Sequence, residues 1–231
     1  MQNPSAAPTQ APEAPTQAPD EPTRTGGADE PTRTGGARPR RARGEVNVDL
    51  VVAAARECFA EAGIAGTRMD EVARRAGISR PHLYAFVSGR EQLIELVALA
   101  RLRELGRALE DRARGLDAEV GEAIVDQVIA TTRMGRDDPE FVALAEVMPR
   151  FELNELLTSG ESPIHEVNSR IFGPLLGRAM AEGRLRSDVP LDSMIEWLQG
   201  VVALLAGRGD LDDESLSTMA RRFVLPAILA G

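Results

Sequence analysis

The residues best equipped for chemistry in this chain cluster in one stretch, Thr67 to Leu93, TRMDEVARRAGISRPHLYAFVSGREQL. Arg80, His82 and Tyr84 supply hydrogen-bond donors and rings. With Ala85 they fall on the outer side of a short helix whose Leu83 and Val87, spaced i, i+4, must pack inward. Such a surface recognises a partner; it does not turn over a substrate. Catalytic patterns are missing: His82 and His165 are the only histidines, Cys58 is the only cysteine, and no H-E-x-x-H, G-x-S-x-G, P-loop or C-x-x-C occurs. An enzyme needs a nucleophile, a base and a group that orients them. We therefore expect no enzyme, no cofactor and no metal; His165 beside Glu166 stays open between a ligand contact, a metal ligand and a surface pair.

The local sequence dictates how those side chains are held. Thr67 can cap a first helix, with Asp70 placed three residues on as in a capping box, while Val72, Ala73 and Ala76 face inward. Gly77 then supplies the left-handed conformation that turns the chain, and Ile78 fills the corner. Ser79 can cap the second helix, whose first turn tolerates Pro81 because the missing N–H has no partner there. Ser88-Gly89-Arg90-Glu91 spells a capping box for a third helix, and Arg90 at that N-terminus suits a phosphate. Two short helices, a tight turn and an exposed face read as a DNA-reading helix-turn-helix.

This stretch, with the helix before it, resembles the DNA-binding domain of the TetR family of transcriptional regulators. Gly77, Ile78, Ser79, Leu83, Tyr84, Phe86, Val87, Arg90 and Glu91 occupy the family's signature positions, while His82 stands where Thr is common and Arg90 where Lys is usual. The resemblance implies that Arg80, Pro81, His82 and Ala85 approach base edges and that Thr67, Tyr84 and Arg90 hold the backbone, with Arg68 a further DNA-binding candidate. It implies a dimer on a near-palindromic operator of double-stranded DNA, most often as a repressor.

Charge is distributed to match. The chain carries −9 overall, and all 27 basic residues are Arg. Residues 1–37 hold two Arg against five acids, residues 38–90 ten against six, and residues 91–231 fifteen against twenty-five, so the one basic segment contains the helix-turn-helix. Residues 1–37 form a low-complexity tail, with APTQAP and DEPTRTGGA each repeated, and lack the apolar surface to fold. RPRRARG, residues 38–44, places Arg40, Arg41 and Arg43 as a basic arm before the first helix, either in a minor groove, on phosphates or as a solvated linker. One cysteine, no signal-like stretch and no long apolar run lead us to expect a cytoplasmic protein without a membrane partner.

The organisation expected is all-α: a tail over 1–37, a three-helix helix-turn-helix domain with its arm over 38–90, and a helical effector-binding and dimerisation domain over 91–231. A first helix should run from Val46 to Ala62, ending at Gly63, with Cys58 in its core. After the long helix from Glu91, helices are expected at 117–135, 139–148, 163–183, 190–207 and 211–229, with loops around 149–163 and a kink at Gly173-Pro174. The helix at 190–207 is apolar nearly all round, with Glu196 and Gln199 as interruptions. Periodicity alone makes that a buried core; the resemblance makes the last two helices a dimer interface. Phe141, Met148, Phe151, Phe172 and Trp197, with His165 as a polar anchor, are candidates to line a pocket for an unknown small-molecule effector, or are core packing. Two readings follow: a ligand-responsive regulator, or a DNA-binding protein without an effector.

Overall fold

In the computed structural model, residues 48–230 are described; the tail and the arm with Arg40, Arg41 and Arg43 lie outside them. Helix α1 (Val48–Gly66) buries Val51, Val52, Ala54, Ala55 and Cys58, and its helical dihedrals break at Gly63 (φ 72°, ψ 160°). Short helix α2 (Met69–Arg75) packs against it, and α3 (Arg80–Leu83) packs against α2. Helix α4 (Arg90–Gly115) is 26 residues long, and its Leu93, Val97, Ala98, Leu102 and Leu109 run from the N-terminal core into the rest of the molecule. Then come α5 (Val120–Asp137), α6 (Pro139–Val147), α7 (Arg150–Thr158), α8 (Pro163–Ala181), α9 (Leu191–Ala206), α10 (Asp213–Met219) and α11 (Leu225–Ile228). Among the described residues there is no strand, only an isolated antiparallel bridge between Leu185 and Leu229. No helix there is long and apolar enough to cross a membrane.

The long helix is gripped by α8 along much of its length. The closest approach is at Gly106, where a Cβ would fall 2.5 Å from Val167 Cγ1, so only glycine lets the two backbones meet there. Helix α8 continues through Pro174 without interruption.

Three expectations need correction. The segment 149–163 is not irregular: Pro149 stands before the first turn of α7, where a proline costs nothing, and Leu153, Leu156 and Leu157 give the helix an inner face. The final helical run is unbroken over residues 213–228 but is not α-helical throughout. Pro226 has no N–H for the carbonyl four residues back, and a π-helical turn (Ala220–Val224) precedes α11. Thr67 does not cap α2; both its N–H and its hydroxyl donate to Gly63 O, at 3.2 and 2.9 Å, closing α1 instead.

Candidate nucleic-acid interface and body cavity

The turn between α2 and α3 is set by Gly77 at φ 70°. Its N–H donates to Arg74 O at 3.2 Å and that of Ile78 to Ala73 O at 3.0 Å, the paired bonds of a Schellman ending. Ser79 starts α3 through its carbonyl, which accepts from His82 and Leu83 N–H at 3.0 Å each; its hydroxyl makes no cap bond. Pro81 lies in that first turn, and tight turns carry the chain on to Val87. Leu83 and Val87 are buried, which leaves Arg80, Pro81, His82, Tyr84 and Ala85 exposed on one side.

That exposed side is internally braced. Arg80 lies 3.0 Å from Asp70 Oδ1 of α2, with its guanidinium 5.5 Å from the centre of the Tyr84 ring. Tyr84 and Asp70 together hold the Arg80 pKa above its usual value. His82 stacks on Phe86 with ring centres 5.6 Å apart. Thus Asp70, expected to serve Thr67, instead orients Arg80. Arg68 is exposed at the start of α2, while Thr67 is buried with its hydroxyl on Gly63 O. Arg90 is half-buried in the first turn of α4, where Gly89 is the cap; the Ser88 box is replaced by Ser88 N–H donating to Gln92 Oε1 at 2.6 Å. Burial pushes the Cys58 thiol pKa up, which disfavours a reactive thiolate.

Beyond the head, a cavity lies among α4 to α9. Its deep part, about 50 Å³, is walled by Leu102, Thr131, Met134, Ile164, Asn168 and Gln199 among others; its outer part, about 540 Å³, passes Leu153, Asn154 and Arg150. Gly135, Phe141, Leu157, Ala203 and Ala206 border both, so the two adjoin. Of the six candidate lining residues, Phe141 is on that wall. Phe172 is fully buried in the core, Met148 is buried at the end of α6, and His165 Nε2 lies 2.9 Å from Asp192 Oδ1. Phe151 and Trp197 stand outward, 76% and 40% exposed. Helix α9 explains the division: Gln199, Val202, Ala203 and Ala206 at i, i+3, i+4 and i+7 face the deep part, while Trp197, Gly200, Val201 and Leu204 form a second stripe, of which Gly200 and Leu204 border the outer part. Leu204 remains 68% exposed on that stripe and Phe223, in the π turn, 66%. Thr131, Asn168 and Gln199 were not anticipated as lining; Gln199 was visible as a polar break in an apolar helix.

A charge cluster joins head and cavity. Arg56 of α1 donates to both carboxylate oxygens of Glu104 in α4, at 2.6 and 3.0 Å, and its Nε lies 2.6 Å from Glu140 in α6. Arg101 of α4 reaches Asp138 at 2.6 Å and Glu104 at 3.1 Å. Asp138 in turn accepts from Phe141 N–H at 2.9 Å, at the cavity wall. The hydrogen bond from Arg56 holds the Glu104 carboxyl below its usual pKa, and that from Arg101 does the same to Asp138. Among the described residues, no group of three or more His, Cys, Asp or Glu is placed to hold a metal.

Comparison with known proteins bears on the head most directly. Residues 51–97 match the family described as bacterial regulatory proteins, tetR family. HTH-type transcriptional regulators from two strains of Mycobacterium tuberculosis, CDC 1551 / Oshkosh and H37Rv, are each 32% identical over 101 residues, which is 44% of this chain. The chain spans about half the length of these curated relatives, 50% in each case. The fold of ligand-free RolR superposes with a TM-score of 0.54 at 22% identity, covering 76% of this chain and 89% of that one. The TetR-family repressor AlkX from a Dietzia strain gives 0.53 at 18% identity, covering 78% and 94%. At residues 51–97, the helix-turn-helix, the chain is similar to the TetR family of bacterial regulatory proteins.

Proposed function

We propose that this protein is a ligand-responsive transcriptional regulator, a repressor that binds a near-palindromic DNA operator as a homodimer. The observation that carries the reading is the sidedness of α3 in a TetR-family head: Leu83 and Val87 anchor it, and Arg80, Pro81, His82, Tyr84 and Ala85 form the exposed face offered to the major groove. Arg68, Arg90 and the arm would supply phosphate contacts. Thr67 contributes through the α1–α2 corner, since its hydroxyl is already engaged.

The exposed stripe on α9, Trp197 with Leu204, and the exposed Phe223 of the π turn support a two-fold pairing of the last helices. Large apolar side chains left at the surface of one copy are covered in a second. The cavity bordered by Phe141 supports a small-molecule effector, and RolR has also been solved in complex with resorcinol. An effector releases DNA only through a preference for the conformation whose heads are wrongly spaced. The Arg56–Glu104–Arg101–Asp138 cluster and α4 give that preference a route from Phe141 to α1.

The test is selection of bound fragments from genomic DNA, followed by titration of the selected site. We expect a palindromic site bound by two chains and weakened by a ligand of the cavity. Binding that never responds to any cavity ligand would favour the alternative, a DNA-binding protein without an effector.

A further inference from the structure

We infer that the effector is an uncharged, mainly apolar molecule bearing a hydroxyl or N–H donor, and that Gln199 Oε1 accepts from that donor in the deep part of the cavity. The inference rests on the reading of this cavity as the effector site. Gln199 is 1% exposed and lines the deep part, and its amide nitrogen donates to Ser159 O at 2.9 Å. That bond fixes the orientation of the amide, because a flipped one would set two acceptors against each other. Oε1 is left buried without a partner. A buried acceptor without a donor is costly, so a ligand that supplies one gains what the empty site lacks.

The other two polar side chains of the wall each already donate to a backbone carbonyl. The Thr131 hydroxyl donates to Gln127 O at 2.7 Å, and the Asn168 amide nitrogen donates to Ile164 O at 3.1 Å. Every other residue of the deep part is apolar or glycine, and no ionisable side chain borders it. A carboxylate or ammonium there would lose its hydration with no counter-charge to replace it. Arg150 borders the outer part alone. The volumes fit the same division: about 50 Å³ accepts a single small polar end, and about 540 Å³ accepts an apolar body.

The experiment compares 4-butylphenol, 4-butylanisole and 4-butylbenzoate by calorimetry on the full chain. The first has the donor, the second has the same shape without it, and the third is charged. Wild-type protein should bind 4-butylphenol about tenfold more tightly than 4-butylanisole, with 4-butylbenzoate weakest. Gln199→Met, similar in volume and lacking the acceptor, should erase the preference while 4-butylanisole affinity holds; the wild-type ratio is decisive even where that variant folds poorly. Equal binding of phenol and anisole, a preference that survives Gln199→Met, or tightest binding of the benzoate overturns the donor assignment and leaves the cavity reading intact. Failure of all three to bind up to their solubility limits removes the cavity reading itself, and the inference with it.

Discussion

The reading head and the body cavity present their functional groups in opposite ways. In the head, the exposed face comes from five positions of one short segment, 80–87, and its orientation is settled by two buried positions of the same segment, Leu83 and Val87. In the cavity, the wall is drawn from α4 to α9, and each helix contributes only a few side chains. A face made by one element is robust to how the rest of the chain packs. A wall made by six elements exists only at the spacing their packing allows, a dependence that suits the proposed effector site.

The sharpest way to break this contrast is to remove the proposed pairing of two copies through their last helices. Leu204→Glu puts an unpaired carboxylate on the exposed stripe of α9, where a monomer tolerates it and an apolar interface does not. Sedimentation should show a monomer, with operator affinity lowered by about 100-fold or more, since an uncompensated buried charge costs several kcal/mol. A variant that stays dimeric and binds normally would move the interface elsewhere.

Within the head, Arg80→Ala and Arg90→Ala should separate base reading from phosphate holding. The first should cost about 1–3 kcal/mol at one base pair of the operator and little on random DNA. The second should weaken all sequences alike and lower the salt slope by about one. Equal losses on operator and random DNA for both would erase the division. Asp70→Asn tests the bracing of Arg80: the 3.0 Å ion pair goes, and discrimination at the Arg80 position should fall while overall affinity does not.

Between head and cavity, Arg56→Ala cuts the contacts to Glu104 and Glu140. Effector-induced loss of DNA affinity should shrink by about tenfold, near the 1.4 kcal/mol that such a factor represents, while effector affinity holds. Acid should act on the same cluster. Glu104 and Asp138 have folded pKa values held below their usual ones, so their contribution is complete at neutral pH and fades as pH falls through and below about 4. The wild-type melting temperature should drop more steeply below that pH than that of Arg56→Ala. A parallel pair of curves would show the cluster to be energetically silent.

The smallest effect belongs to Gly77→Ala. Its φ of 70° costs an alanine about 1 kcal/mol, which lowers the melting temperature by about 2–4 °C in a chain of this size. A cavity ligand should bind that variant as it binds wild type, because the strain stays in the head.

What the sequence by itself determined is local. Gly77 demanded the turn, Pro81 marked a first helical turn, and Leu83 with Val87 chose the inward side of α3, because each rests on dihedral or periodic rules that span a few residues. The long α4 was legible for the same reason. Capping was less legible: Thr67 and Ser88 have the right side chains, but Gly63 O and Gln92 were the nearer partners in space. Only the tertiary structure decided which stripe of α9 lines the deep part of the cavity, since Trp197 and Leu204 are as apolar as Val202 and Ala203 and periodicity cannot rank two apolar faces of one helix. It also decided that Phe151 faces solvent, that Phe172 packs in the core, and that Gln199 meets Ser159 with its oxygen left bare, because those outcomes depend on which helix arrives from elsewhere in the chain.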